Sequence, residues 1–385
     1  MKRRKTIYLD NAATTFPKPA EVMRRVEVCL KELGGNPGRG SHGMALAAAE
    51  EVYRCRREAA ELFGSSHPER VIFTMNATQA LNIAIKGLVR PGDHVLCSDM
   101  EHNAVWRPLC RLAEAGVIEF DVFDTLPDAP MRTEDRILSS ITARLTPKTS
   151  LIVCAHASNI CSATLPLEAI GRLCRRRGIR LIVDASQSAG AYPIDMERMG
   201  IDALCMPGHK GLYGPQGCGL LLLGEGITPA TLMEGGNGVD SLRCGMGESL
   251  PERYEPGTLP TPALSGLHAG MAFVRQTGIE AIRAHETALC EQAKAGLMSI
   301  PGVTVYAPQH RGGILLFSVN GHASEDVGTY LDSQGICVRP GFHCTALGHR
   351  TLGTPSGGAV RASFGYFNTE RDVEALVRAM RGMAK

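Results

Sequence analysis

The chain of 385 residues has almost no net charge: 41 lysines and arginines stand against 39 aspartates and glutamates, leaving +2. No bulk field therefore argues for nucleic acid or an anionic membrane as a partner. Long apolar runs are missing too, none reaching the ~18 residues of a membrane span. The basic start MKRRKTIYLDN meets Asp10 after only a few apolar residues, so no signal-peptide core is expected. Among thirteen cysteines, an odd number, no two lie three apart. That excludes a C-x-x-C redox motif or zinc ribbon. Cys97 and Cys154 fall inside the apolar runs HVLCS and LIVCA, where a thiol packs as a small hydrophobe. Reduced cysteines in a soluble, cytoplasmic protein are the expectation. There is no G-x-G-x-x-G after a strand and no G-x-x-x-x-G-K-[ST], which argues against dinucleotide and P-loop folds. Internal repeats and long Ser/Pro linkers are absent as well.

What is present suits a folded enzyme-sized protein. Hydrophobic residues make up 44% and charged residues 21%, near globular averages, which excludes a disordered chain. The length exceeds the roughly 250–300 residues at which one core stops growing, so two domains are expected. Residues 43–63 have the spacing of an amphipathic helix. Apolar strands then alternate with helices: VIFT (71–74), a helix over 76–88, HVLCS (94–98), a helix after it, SLIVCAHAS (150–158), a helix over 165–178, RLIVDAS (180–186), IDALCMP (201–207) and GCGLLLLG (217–224). Continuous apolar strands of this kind predict an α/β fold with a mixed, mostly parallel sheet flanked by helices. Beyond residue 225 the pattern changes to an irregular stretch and a long helical region over 261–298. GVTVYAP, GGILLFSV, a helix near 324–334, GICVRP, AVRASFGY and a last helix over 369–384 follow, predicting a smaller α+β domain. We place the large domain at 15–260 and the small one at 261–385, with residues 1–14 packing near the latter.

Ligands of open α/β sheets sit beyond the carboxyl ends of the strands. Five polar clusters fall there: Asn76 to Gln79, Glu101 to Asn103, His156 to Asn159, Asp184 to Gln187, and Pro207 to Lys210. Each alone reads as a cap or turn; five together read as a site. Amides opening the helix at 77–79, aided by the Thr78 hydroxyl, suit a phosphate. Asp184 ends an apolar strand, where a carboxylate is a helix cap or is paired with a cation, and a protonated pyridine nitrogen would be one suitable partner. Lys210 in GHKGLYGPQG has a chain capable of condensing with an aldehyde.

At this point the chain resembles a family. Asp184-x-x-Gln187, the GHK lysine followed by Y-G-P, the opening YLDNAATTFP (8–17) and EPGTLPTPAL (255–264) are similar to fold-type I enzymes of the class V aminotransferase group. Within that group the resemblance is to cysteine desulfurases and selenocysteine lyases, and it runs from residue 7 to about 380. It implies pyridoxal 5'-phosphate as cofactor, held covalently by Lys210, with Asp184 on the pyridine nitrogen. Gln187 and Asn159 match hydrogen-bonding partners of the ring oxygen, and His102 the histidine stacked on the ring. Thr78, Ala77 and His209 match the phosphate site, and Thr258 a phosphate contact given by a neighbouring subunit, which implies a homodimer. Arg361 matches the clamp for the substrate carboxylate, with Asn159, His343 and Arg339 on the same side. Cys344, in VRPGFHCTAL, matches the nucleophilic cysteine of R-x-G-x-H-C, and His343 or Arg339 is placed to favour its thiolate. The short interval to Arg361 resembles relatives with a compact cysteine loop. Two departures are Pro207, where many relatives carry Ser or Thr, and Phe342, where a histidine is common.

The implied reaction converts L-cysteine to L-alanine with the sulfur left as a persulfide on Cys344 for an acceptor protein; selenocysteine fits the same route. The alternatives are another class V activity, transamination or epimerisation, and a non-catalytic sulfur carrier on the same fold. A metal centre from Cys344, His343 and His349 is a distant reading, because C-x4-H is loose spacing.

Overall fold

Runs such as Leu151–Cys154 and Leu220–Leu223 are buried without polar interruption. A strand of that kind is stable only inside a sheet covered on both faces. The structure, a computed structural model, describes residues 6–38, 40–125, 133–239 and 241–383. Its elements begin β1 (Ile7–Tyr8), α1 (Ala20–Glu32), α2 (Gly43–Leu62), β2 (Val71–Thr74), α3 (Ala77–Leu88), β3 (Asp93–Ser98), α4 (Asn103–Glu114) and β4 (Ile118–Phe123). They continue α5 (Thr133–Ala143), β5 (Thr149–Ala155), α6 (Leu167–Arg177), β6 (Arg180–Asp184), α7 (Met196–Met199), β7 (Ala203–Pro207) and β8 (Gly219–Leu223). After an irregular stretch come α8 (Thr261–Thr277), α9 (Ile279–Met298), β9 (Val303–Tyr306), β10 (Ile314–Val319) and α10 (Ser324–Ser333). The last are β11 (Ile336–Cys337), β12 (Arg339–Gly341), α11 (Ala346–Thr351), β13 (Ala359–Ser363) and α12 (Glu370–Met383).

The main sheet has the order β2-β8-β7-β6-β5-β3-β4. Only β8 runs against its neighbours; the other pairs are parallel. This is the mixed, mostly parallel sheet that the apolar runs predict. Chain order reverses between β3, which continues outward to β4, and β5, which continues to β6 and β7. Such a reversal opens a crevice at the carboxyl ends of the two strands. One face is sealed by α2, α6 and α8 through Ala59, Leu173 and Leu267, the other by α3 and α4 through Leu81, Ile85 and Leu109.

A second, antiparallel sheet runs β12-β13-β10-β9, and β1 pairs in parallel with β11. Its core joins Leu315 and Phe317 to Leu289 on α9, Leu376 on α12 and Leu9 from the amino-terminal segment. Residues 1–5 of that segment lie outside the described residues.

Three details differ from the sequence-based expectation. The helical region over 261–298 is two helices, broken at Gly278, whose φ of 87° lies where glycine alone is comfortable. GICVRP is divided between β11 and β12. β4 and α5 were not expected: β4 is an edge strand, alternately exposed, whose charges mask its strand character. None of the thirteen cysteines is in a disulfide. Among the described residues no helix is long and apolar enough to cross a membrane.

Candidate active site

The strand ends at the crevice deliver the expected clusters into one cleft. It is lined by Ala77 and Thr78 from the first turn of α3, His102 before α4, Asn159 after β5, Asp184 and Gln187 after β6, and His209 and Lys210 after β7. Thr258 does not line it; it is exposed and its hydroxyl accepts from Asn36 Nδ2 at 3.3 Å.

Local geometry explains each position. Asn76 caps α3 by accepting from the Gln79 amide at 3.0 Å, which turns the helix N-terminus toward the cleft. β8 must pass close beneath that cap: a Cβ at Gly219 would lie 2.8 Å from the Asn76 backbone. The GHK segment is pinned by the opening motif. His209 O accepts from the Thr15 amide at 3.1 Å and from Lys18 Nζ at 2.7 Å, and Lys210 O accepts from Thr15 Oγ1 at 3.0 Å. Gln187 Nε2 donates to Ala12 O at 3.0 Å. Asp184 is nearly buried, and its Oδ1 accepts from the Ser186 amide at 2.8 Å.

Electrostatics follow from burial. It lowers Lys210 from 10.5 to about 8, against the pull of Asp184. The amine is therefore a usable base and nucleophile near neutral pH. Burial lowers His209 to about 4, so the ring is neutral, and its Nδ1 is buried without a partner. His102 is also lowered, mainly by burial, with Asp184 opposing. Its Nδ1 accepts from the Ala104 amide at 3.0 Å, so the neutral ring carries its proton on Nε2. Glu101 turns inward, taking bonds from Ser98 Oγ and the Ala155 amide, and burial raises it to about 8.

Arg361 and the cysteine loop form a second wall. Arg361 is 1% exposed; one terminal nitrogen donates to Asn159 O at 2.9 Å and the other to Asp10 Oδ1 at 2.7 Å. Asn159 in turn donates through Nδ2 to His343 O at 2.9 Å and accepts from Thr345 Oγ1 at 2.7 Å. Its side chain is thereby committed to the cysteine loop. His343 and Cys344 both have positive φ, 53° and 58°. Two such non-glycine residues in succession make a strained turn. It sends His343 inward and Cys344 to the surface. His343 bonds to His349 at 3.0 Å and to Arg339 O at 2.8 Å, and burial lowers it to about 3. A neutral, enclosed ring exerts no charge on the thiol, so Arg339 remains as the adjacent cation, with NH2 3.8 Å from Cys344 Sγ. The Asn103 amide donates to Cys344 O at 2.7 Å, tying the loop to the cap of α4 beside His102.

Asp10 is the polar residue missed by reading the sequence. It lies within YLDNAATTFP, but its pairing with Arg361 spans 351 positions and has no local signal. Glu255, in the EPGT motif, has an architectural role. It forms a buried two-bond pair with Arg56, at 2.8 and 2.9 Å, and accepts from the Phe73 amide at 2.6 Å, anchoring the segment that carries Thr258.

A lysine, a buried carboxylate and a helix N-terminus around one cleft at the carboxyl ends of a parallel sheet describe a recognisable class of protein. The chain belongs to the class V aminotransferase family, whose model it matches over residues 7–376. Its relatives include a probable cysteine desulfurase of Methanothermobacter thermautotrophicus, 34% identical over 98% of this chain and 94% of the relative. A cysteine desulfurase of Salmonella agona is 30% identical over 97% of this chain and 92% of its own length. The apo cysteine desulfurase of Thermococcus onnurineus superposes with a TM-score of 0.91 at 28% identity, covering 98% and 94% of the two chains. Enzymes of this family depend on pyridoxal phosphate. The residues here fit that group. The orphaned His209 nitrogen and the α3 amides suit its phosphate, and Lys210 its aldehyde.

Proposed function

We propose that this protein is a pyridoxal-phosphate-dependent cysteine desulfurase, releasing L-alanine from L-cysteine and passing the sulfur, as a persulfide on Cys344, to an acceptor protein. The observation that carries the reading is the exposed Cys344, held beside Arg339 on a loop tied to both His102's helix and Arg361's partner Asn159. A transaminase or an epimerase has no use for a thiol in that position.

In this reading Lys210 and Asp184 hold the cofactor, with His209, Thr78 and Ala77 around its phosphate and Gln187 beside its ring. When bound, pyridoxal phosphate supplies an electron sink that stabilises negative charge at the substrate Cα. Arg361 takes the substrate carboxylate, its planar fork matching the two oxygens. The Lys210 amine, poised near neutral pH by burial, removes the Cα proton. Cys344 Sγ attacks the substrate sulfur; a sulfur–sulfur bond forms as the carbon–sulfur bond breaks. His102, with its proton on Nε2, is the nearby group able to return a proton to the product. Selenocysteine would use the same contacts, and its selenol leaves more readily.

The reading extends to the assembly and its setting. Thr258, exposed on an anchored segment, is proposed to complete the phosphate site of a second copy, so the enzyme is a homodimer. Thirteen cysteines outside any disulfide and the small net charge accord with a cytoplasmic enzyme that binds neither nucleic acid nor membrane.

The test is product analysis of the loaded enzyme with L-cysteine and a reductant. Alanine and sulfide in equal amounts are expected, without a keto acid. Keto-acid formation, or cysteine left intact, would sink the proposal.

A further inference from the structure

Cys344 stands on a turn that no glycine eases, with φ of 53° at His343 and 58° at Cys344. Such a turn persists only where its surroundings over-determine it. Two contacts of the turn converge on His349, a residue outside the cysteine motif. We propose that His349 is a positioning residue for Cys344, its ring holding His343 and so fixing the turn that presents the thiol. The inference rests on the desulfurase reading above, in which that thiol is the nucleophile.

The bonds around the two rings have one consistent direction. A carbonyl can only accept, so His343 Nε2, 2.8 Å from Arg339 O, carries a proton and donates it there. His343 Nδ1 then accepts, and its donor is His349 Nε2 at 3.0 Å. His349 Nδ1 accepts in turn from Thr354 Oγ1 at 2.9 Å. Burial keeps both rings neutral, lowering His343 to about 3 and His349 to about 4, so each has a single proton to place. All four ring nitrogens are engaged, and His349 supplies the donor that the buried Nδ1 of His343 uses.

His349 grips the loop on both sides of the thiol. Its ring meets Phe342 edge-on, with 5.5 Å between centroids and 74° between planes. It is buried on α11, and its amide donates to Thr345 O at 3.1 Å. Phe342, His343 and Thr345 are therefore all tied to this one residue. The remaining ties of the turn fall on its carbonyls, from Asn159 Nδ2 to His343 O and from the Asn103 amide to Cys344 O. Those bonds fix where the backbone passes but leave the His343 side chain to swing. Without the His349 donor, His343 Nδ1 is a buried acceptor left unpaired, a state that favours a rearranged turn.

The experiment compares the wild type with His349→Phe, which keeps a flat ring but has no donor, and with His349→Gln, whose amide can still donate to His343. In the loaded enzyme, kcat for persulfide formation from L-cysteine should fall about tenfold or more in His349→Phe with KM unchanged, because the thiol is misplaced while Arg361 is not. His349→Gln should recover most of that rate. In the cofactor-free chains, hydrogen exchange at the Thr345 and Asn103 amides should be about tenfold faster in His349→Phe, and close to wild type in His349→Gln. Alkylation of the buried Cys154 and Cys205 should stay as slow as in the wild type, which separates a displaced loop from general loosening. Unchanged exchange or a wild-type kcat in His349→Phe, equal losses in the two variants, or a rise in KM alone would overturn the proposal. Faster alkylation of the buried cysteines would overturn it too, leaving His349 as a structural support. If His349→Phe does not fold, His349→Leu measured in the same way must meet the same demand. Exchange needs no turnover, so a wild type that makes no alanine from cysteine would refute the desulfurase reading separately.

Discussion

At the scale of single residues, two side chains divide the chemistry of the proposed reaction, and their surroundings are opposite. Lys210 is poised by burial, which lowers its amine to about 8. Below that pH the amine is mostly protonated and unreactive; above it, the free amine dominates. Uptake of pyridoxal phosphate by the cofactor-free chain should therefore accelerate as pH rises through about 8, followed by growth of its visible absorbance. A rate independent of pH between 6.5 and 9 would contradict this origin of reactivity. Lys210→Ala should lose the borohydride-fixable link altogether. Cys344, by contrast, is exposed and stands on a strained turn. Cys344→Ser should keep the cofactor's absorbance but lose persulfide formation by about 100-fold or more, since a hydroxyl is a poor nucleophile toward sulfur. Mass spectrometry of alkylated peptides reads this directly: a persulfide on another cysteine at wild-type yield would reassign the nucleophile.

At the scale of elements, close packing decides where the proposed phosphate site stands. β8 supports the capped start of α3 only because Gly219 has no side chain. Gly219→Ala must push the Asn76 backbone outward, since its Cβ would meet that backbone at 2.8 Å. Overpacking of this kind costs about 1–3 kcal/mol. The expected outcome is a lower Tm together with faster loss of cofactor on dialysis; wild-type retention would show that α3 is not held by β8. The Arg56–Glu255 pair fixes another element, the segment leading to Thr258. Removing one member of a buried pair costs about 3–5 kcal/mol, because the other charge is left uncompensated. Arg56→Ala should accordingly destabilise the fold far more than a change at the exposed Arg54, as thermal denaturation will register.

At the scale of the whole molecule, two cores flank the large sheet and a third lies under the small one, with the site between the sheets. Arg361 and Cys344 come from the small sheet's strands and the loop joining them, while Lys210 and Asp184 come from the large sheet. In the proposed reaction the reacting groups are thus divided between the two sheets. If Thr258 serves a neighbouring site, the active species contains two 41.2 kDa chains. Light scattering should find a dimer, and Thr258→Ala should weaken cofactor retention although Thr258 is absent from its own chain's cleft. A fully active monomer would refute this arrangement.

Much of this was legible in the residues themselves. Buried parallel strands have no solvent face, so β5, β6, β7 and β8 appear as unbroken apolar runs, and the polar groups that follow β5, β6 and β7 mark the cleft. The clusters holding Asp184 and Lys210 were readable for that reason. The half-exposed edge strand β4 was not, because its exposed positions carry Glu119 and Asp121 like a loop. Nor was the glycine break between α8 and α9, where helical composition continues on both sides. The pairing of Asp10 with Arg361, the enclosure of His343 and the turning outward of Cys344 depend on contacts between distant segments and on two positive φ angles. Residue identity and spacing determine which groups the chain owns and which strand ends carry them. Only packing across the two sheets decides which of those groups meet, because a hydrogen bond across 351 positions leaves no periodic trace in the chain.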